Sequence, residues 1–345
     1  MKQNIAFIIT KSEIGGAQTW VLELSNILES RFNIFLITSE EGWLTKYFPE
    51  RNIFILPGLS SIKKPSSILK IHHFIKKNKI STVISNSANA GLYSRLAKIL
   101  KPHKHIYVSH GWSCIYNGGR FKKLFCWIEK SLSLLSNTIL CVSEQDRKNA
   151  IDIIGINKSK IKVIKNKISP LPQKTNINEK KRVLFVGRMT SPKRADLFIE
   201  VAKKISYMDF YLVGDGPLTN NLKLLSKECD KNIFFLGEVN NFKSYNNFDI
   251  FVLLSDSEGL PMSAIEAGSA GLPLVMSNVG GCSELIYTSN DYQNGLLVEN
   301  NVEYIVKSLT ELSDNYLDYY NTAQNVRREF DIKSVANDYI QLIQG

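Results

Sequence analysis

The residues best suited to chemistry lie in one short stretch, Ser255-Asp-Ser-Glu-Gly-Leu-Pro-Met-Ser-Ala-Ile-Glu266. Two carboxylates, Glu258 and Glu266, stand eight residues apart in it. The apolar run Ile250 to Leu254 predicts a buried strand just before them. Gly259 marks a polar loop, and Pro261 stands where a helix places its first residue. The helix carries Glu266 inward, and Gly268 and Gly271 permit close packing or a stop. A helix N-terminus at a strand end offers free backbone N–H groups and a positive dipole end, so an anion suits it. Glu258 and Glu266 would then touch the far end and the middle of one ligand. The plainer alternative is a strand, a loop and a helix with one solvated and one capping glutamate.

Other strand ends in the second half of the chain carry matching groups. Gly187-Arg188 ends one apolar run, and Lys193 follows five residues later. Two cations at a strand end beside a helix start suit a diphosphate without a metal. Gly214-Asp-Gly-Pro217 ends the next strand in a tight turn, and Gly280-Gly281 with Glu284 and Asn294-Gly295 complete the series. No Asp-x-Asp metal motif is present, although Asp256-Ser-Glu258 superficially resembles one. In the first half, Lys11-Ser-Glu-Ile-Gly-Gly-Ala-Gln18 joins a strand, a glycine pair and a helix. That is either a plain tight turn or a loop whose Gly15 and Gly16 let backbone approach a phosphate. It is neither Gly-x-Gly-x-x-Gly nor a Walker loop. His110 follows a strand at the edge where parallel sheets bind ligands, as a site residue or as a hydrogen-bonded structural histidine.

The elements that must position these groups form two successive strand–helix series. In the first, strands are predicted at 5–9, 32–38, 53–56, 81–85, 105–109, 139–142 and 161–164. Helices are expected at 19–29 and 93–100, with a lysine-bearing helix before residue 81. Residues 166–181, with Pro170, Pro172 and a polar run, read as a linker. The alternation then restarts with strands at 183–186, 210–213, 233–236, 248–254 and 274–277 and helices at 194–205, 218–227 and 262–270. Two such series predict an α/β protein with two doubly wound parallel sheets. The expected domains are 1–165 and 182–320, with a C-terminal helix in 321–345 packing back on the first.

With 345 residues and 44% apolar content, the chain has material for about two cores. No run approaches the ~20 apolar residues of a membrane span, and the apolar run at the N-terminus is short for a signal peptide. The five cysteines, at 114, 126, 141, 229 and 282, are odd in number and scattered. That predicts reduced thiols in a cytoplasm and argues against zinc. The net charge of +11 is uneven, with 25 Lys/Arg against 10 Asp/Glu through residue 165. Such a basic half suits anionic lipid or phosphorylated substrates, and no motif accompanies it that would favour nucleic acid. The segment from Arg120 to Leu135 interleaves basic residues with Phe121, Phe125, Trp127 and Ile128. It is either an interfacial helix on anionic lipid or a core helix with a solvated basic face.

Taken together, Glu258, Glu266, Gly259-Leu260-Pro261, Gly187-Arg188, Lys193, Gly214-Asp-Gly-Pro217 and Asn294-Gly295 resemble the signature of the retaining glycosyltransferases of family 4. Those enzymes have the GT-B fold, two Rossmann-like domains facing a central cleft. The likeness is close from Val183 to Val298 and looser before it, where Gly15-Gly16-Ala17 and His110-Gly111 match. Asn166-Lys167 and Lys193-Arg194 depart from the family's usual Asn-Gly and Lys-Gly.

The resemblance implies that Glu266 holds the nucleotide ribose and that Glu258 contacts sugar hydroxyls near the reacting carbon. Arg188 and Lys193 would stabilise the diphosphate leaving group, with amides near Gly16, Gly259 and Leu260 assisting. Gly15, Gly187, Gly214 and Pro261 would belong to the donor loops, Leu236 and Val239 would border the base, and His110 would approach the sugar. It further implies a metal-independent enzyme moving a hexose or N-acetylhexosamine from a nucleotide diphosphate, expectedly UDP, to a glycan or lipid-linked acceptor. Capsule, O-antigen or exopolysaccharide synthesis at the inner face of a bacterial membrane is the expected setting, by analogy. The alternatives are a nucleotide-sugar 2-epimerase or hydrolase of the same fold, and an inactive membrane-bound scaffold.

Overall fold

The computed structural model describes residues 2–116, 118–227 and 231–345 and divides into two compact units. The first comprises residues 1–166 with 333–345, and the second residues 167–332.

The first unit is built on seven parallel strands, β1 (Gln3–Ile8), β2 (Phe32–Thr38), β3 (Ile53–Ile55), β4 (Thr82–Ser85), β5 (Lys104–Ser109), β6 (Thr138–Cys141) and β7 (Ile161–Val163). Their order is β3-β2-β1-β4-β5-β6-β7, so the strand order reverses between β1 and β4. Ile5 to Ile8 are fully buried, as a parallel strand covered on both faces requires. The helices are α1 (Gly16–Leu28), α2 (Ser66–Lys77), α3 (Ala88–Leu100), α4 (Ser113–Tyr116), α5 (Lys122–Ser133) and α6 (Glu144–Asn149). Right-handed crossovers place α2, α3 and α5 on the face opposite α1.

α1 begins at Gly16, three residues before the expected start, and α3 begins five residues earlier than expected, after Ser87. Both starts carry small residues without apolar periodicity, so the periodic pattern alone placed them late.

Helix α5 does not fit the core-helix alternative. Its inward face carries Cys126, Glu129 and Ser133, while Leu124, Phe125, Trp127 and Leu134, just past its end, are exposed. The rotation is set by a buried ion pair, Arg95 Nη1 to Glu129 Oε2 at 2.8 Å, with the Arg95 guanidinium over the Tyr107 ring at 3.9 Å. A core helix would turn its apolar side inward, and α5 turns it out.

The second unit holds β8 (Arg182–Val186), β9 (Asp209–Val213), β10 (Ile233–Gly237), β11 (Ile250–Leu253), β12 (Leu274–Ser277), a two-stranded ribbon of β13 (Thr288–Ser289) and β14 (Tyr292–Gln293), and β15 (Gly295–Val298). The main sheet runs β10-β9-β8-β11-β12-β15 and reverses between β8 and β11. Its helices are α7 (Ala195–Lys204), α8 (Thr219–Ser226), α9 (Met262–Ala270), α10 (Val302–Asp314) and α11 (Tyr316–Asn325).

The stretch 166–181, expected as a linker, is instead part of this unit from residue 167. Lys174 Nζ pairs with Asp249 Oδ1 at 3.0 Å, both side chains buried, and Lys174 N–H donates to the Ala270 carbonyl. A polar run with little periodicity reads as linker, but a buried lysine–aspartate pair anchors it. Residues 321–332, expected to leave with the last helix, also stay here, where Phe330 lies against Gly268. The last helix, α12 (Ala336–Gln344), belongs to the first unit, where the buried Tyr339 hydroxyl accepts the Trp20 indole N–H at 3.2 Å.

Candidate active site

Ligands of doubly wound sheets bind beyond the carboxyl ends of the strands where the order reverses. In the second unit that point lies between β8 and β11, and the residues singled out in the sequence line it. The segment Pro192-Lys193-Arg194 runs antiparallel to Leu254-Ser255-Asp256, with Arg194 N–H donating to the Leu254 carbonyl and Asp256 N–H to that of Pro192, each at 2.9 Å. This bridge brings Lys193 Nζ to Glu258 Oε1 at 2.5 Å, with both side chains mostly covered. Arg188, on the loop after β8, is exposed. The buried Cys282 thiol lies close enough for the Glu258 charge to add to burial, which together push its pKa up to about 12.

The loops beside this pair are laced together by backbone. Gly187 N–H donates to the Val213 carbonyl, Met189 N–H to that of Asp215 and Gly214 N–H to that of Gly237. Gly214 has φ +128°, and a Cβ there would sit 2.0 Å from the Gly187 carbonyl oxygen. Only glycine allows that approach. Gly281 N–H donates to the Gly259 carbonyl at 2.8 Å, and a Cβ on Gly280 would lie 1.8 Å from the Glu258 carbonyl oxygen. The rim therefore runs from Leu236 and Val239, both exposed beside Gly237, through Gly214 and Gly187 to Lys193, Glu258 and Gly259.

Helix α9 opens onto the same edge. Pro261 is its extended N-cap rather than its first residue and supplies no side-chain cap, and Leu260 and Pro261 are buried. Gly271 stops the helix in a left-handed conformation, and the Gly268 position is filled by the Phe330 ring, so the two glycines divide the expected roles. Glu266, half-buried, accepts the Tyr245 O–H at 2.5 Å. Burial, with the Glu266 charge beside it, holds Tyr245 protonated as that donor. Tyr245 lies 21 residues before its partner in a short turn and leaves no local sequence signal.

In the first unit the corresponding edge carries Gly15, Gly16 and His110. Gly15 is extended at φ −176°, a conformation any residue adopts, and α1 starts without a side-chain cap. Asn86 Nδ2 donates to the Ile84 carbonyl, so its Oδ1 accepts from His110 Nε2 at 3.1 Å. The Trp20 ring meets His110 edge-on at 5.1 Å. Surrounding protein pushes the His110 pKa down to about 3. His110 is therefore a neutral imidazole whose Nδ1 is an acceptor. Trp112, two residues on, is a buried core residue. Among the described residues no cluster of three or more His, Cys, Asp or Glu side chains has metal-site geometry. Cys114, Cys126, Cys141 and Cys282 are free thiols, and Cys229 lies outside the described residues.

Comparison with known proteins places these two sheets in one group. Residues 168–329 match the profile of the glycosyl transferases group 1, and residues 14–170 that of glycosyltransferase family 4. The chain is 48% identical to the O-antigen biosynthesis glycosyltransferase WbnH of Escherichia coli, over 99% of this chain and 100% of that one. It is 28% identical to an E. coli UDP-Gal:alpha-D-GlcNAc-diphosphoundecaprenol alpha-1,3-galactosyltransferase, over 91% and 89% of the two chains. HepE from Anabaena, solved in complex with UDP-glucose, shares the fold with a TM-score of 0.83 at 16% identity and 98% coverage of each chain. Two parallel α/β sheets with this strand order and these strand-end loops are those of the GT-B glycosyltransferases, and the chain belongs to the group 1, or family 4, glycosyltransferases.

Proposed function

We propose that the protein transfers a hexose or N-acetylhexosamine, with retention, from a UDP-sugar to a lipid-diphosphate-linked glycan in the synthesis of O-antigen or a related surface polysaccharide. The observation that carries this is the Lys193–Glu258 pair at the strand reversal, beside exposed Arg188 and the start of α9. A donor diphosphate takes Lys193 and Arg188 as counter-charges, which frees Glu258 to accept from sugar hydroxyls. Glu266 accepts from the ribose hydroxyls. The bond from the anomeric carbon to the diphosphate oxygen breaks as the acceptor oxygen attacks from the same face. A leaving phosphate oxygen takes the acceptor proton, and UDP departs.

Two fixed cations supply the charge stabilisation that a metal gives elsewhere, so transfer proceeds in EDTA. The galactosyltransferase relative, whose name gives UDP-Gal, a diphosphoundecaprenol-linked acceptor and an α-1,3 linkage, supports the donor and acceptor classes. An α product from an α-linked nucleotide sugar is retention. The outward Leu124, Trp127 and Leu134 beside Arg120, Lys123 and Lys130 suit an anionic bilayer on which such an acceptor sits. No described helix is long and apolar enough to cross a membrane.

The test is a panel of nucleotide sugars with EDTA present, read by thermal shift and then by transfer. A selective rise with one UDP-sugar, and an α anomer in the product by NMR, is expected. No shift with any nucleotide favours the scaffold reading, and sugar release without an acceptor favours a hydrolase.

A further inference from the structure

Asp256 opens the Asp-x-Glu run that looks like a metal motif, and its surroundings give it another task. Its Oδ1 accepts from Arg194 Nη1 at 3.2 Å and from Asn300 Nδ2 at 3.2 Å. Arg194 is held in turn by Asp196, Nε to Oδ1 at 3.0 Å and Nη2 to Oδ2 at 2.8 Å. Asn300 also donates to the Ser255 carbonyl at 2.9 Å, and its Oδ1 accepts from Ser277 Oγ at 2.5 Å. Ser277 Oγ accepts the Ser255 N–H at 3.0 Å. Residues just beyond β11, at the end of β12 and just after β15 are thus tied at one point.

We propose that Asp256, gripped by Arg194 and Asn300, is the positioning residue that keeps Lys193 and Glu258 in register for the donor. Side chains alternate across an extended bridge, so adjacent Lys193 and Arg194 leave it on opposite sides. One meets Glu258 and the other Asp256, and a single two-bond bridge is closed by an ion pair on each side. Glu258 lies two residues beyond Asp256, so a slip of this loop separates it from Lys193. Asp256 Oδ1, which accepts from both a guanidinium and an amide, has its lone pairs engaged as an anchor. The proposal rests on the donor reading above for what is positioned, and on the loop geometry alone for how.

The experiment compares wild type with Arg194→Ala, Asp256→Ala, Asp256→Asn and the double alanine variant. Hydrogen exchange in the ligand-free protein should be about tenfold faster at residues 254–260 in either single alanine variant, with β8 unchanged. UDP affinity by calorimetry in EDTA should fall about fivefold in each, with the double variant no weaker than the singles because they share one contact. Asp256→Asn keeps an oxygen acceptor and should recover most of the affinity. Melting temperatures should stay near wild type, because the pair is partly exposed.

Unchanged exchange at 254–260, or additive losses in the double variant, overturns the proposal. So does UDP affinity that rises with added Mg2+ in wild type and not in Asp256→Asn, which would make Asp256 a metal ligand. Wild-type protein that binds no UDP removes the donor reading, and the exchange measurement then decides the loop anchor by itself.

Discussion

At the scale of single residues, the candidate site holds two of its charges as a pair. Lys193 neutralises Glu258 at 2.5 Å, so neither is an unpaired charge in a mostly covered place. On the proposed donor reading, a diphosphate would take the place of the Glu258 carboxylate at Lys193, so the pair would be traded rather than broken. Arg188 is exposed, and on the proposed donor reading its loss should fall on the reaction more than on the fold. Arg188→Ala should slow transfer on the order of a hundredfold at saturating donor while leaving the melting temperature near wild type, measured by initial rates. Tyr245→Phe removes the donor that orients Glu266, and UDP should bind about three- to tenfold more weakly by calorimetry. Arg188, Lys193 and Glu258 were legible because each follows an apolar run at a strand end. Tyr245, Asn300 and the anchoring role of Asp256 were not, because their partners come from distant elements and no spacing links them.

At the scale of elements, helix α5 is the part whose sequence pattern underdetermines its role. Its apolar and basic residues alternate closely enough to suit a core or an interface. The deciding group is Glu129, which must meet the buried Arg95 and so turns Trp127 and Leu134 to the outside. Glu129→Gln leaves the Arg95 charge uncompensated and should cost about 3–5 kcal/mol in urea unfolding. Trp127→Ser with Leu134→Ser should barely change that stability but should lower sedimentation with anionic vesicles severalfold. Wild-type protein that leaves such vesicles alone at low salt retires the membrane surface. The glycine loops show the opposite case. Gly214 and Gly280, read from the sequence as turns, lie where a Cβ would strike a carbonyl oxygen, so the turns there depend on glycine.

At the scale of the whole molecule, the two units differ in how they meet acid. All five histidines, at 72, 73, 103, 105 and 110, lie in the first unit. Burial pushes the His103 pKa down from 6.5 to about 4 and holds fully buried His105 well below its ordinary value. His105 is neutral among hydrogen bonds to Ser94 at 2.8 Å, Ser85 and Ser136. A depressed histidine pKa means that the unfolded chain binds more protons. The contribution is complete above pH 6.5 and is lost as pH falls toward the folded pKa. For His103 alone the loss between pH 6.5 and 4 is on the order of 3 kcal/mol. Calorimetry over this range should show the first unit's transition moving down while that of the second, which has no histidine, holds until its carboxylates titrate. Two transitions moving together would contradict this.

The sequence by itself determined the two parallel α/β sheets and the strand ends that carry Arg188, Lys193, Gly214 and Glu258. It did so because buried parallel strands are short apolar runs and glycine loops follow them, both being local signals. Tertiary structure decided where the units divide, since a buried Lys174–Asp249 pair draws the expected linker into the second and Trp20 draws α12 into the first. It also decided which face α5 exposes and which side chains steady Glu258 and Glu266. Those outcomes depend on charges and hydrogen-bonding groups brought together from residues tens to hundreds apart, and composition and spacing carry no record of such meetings.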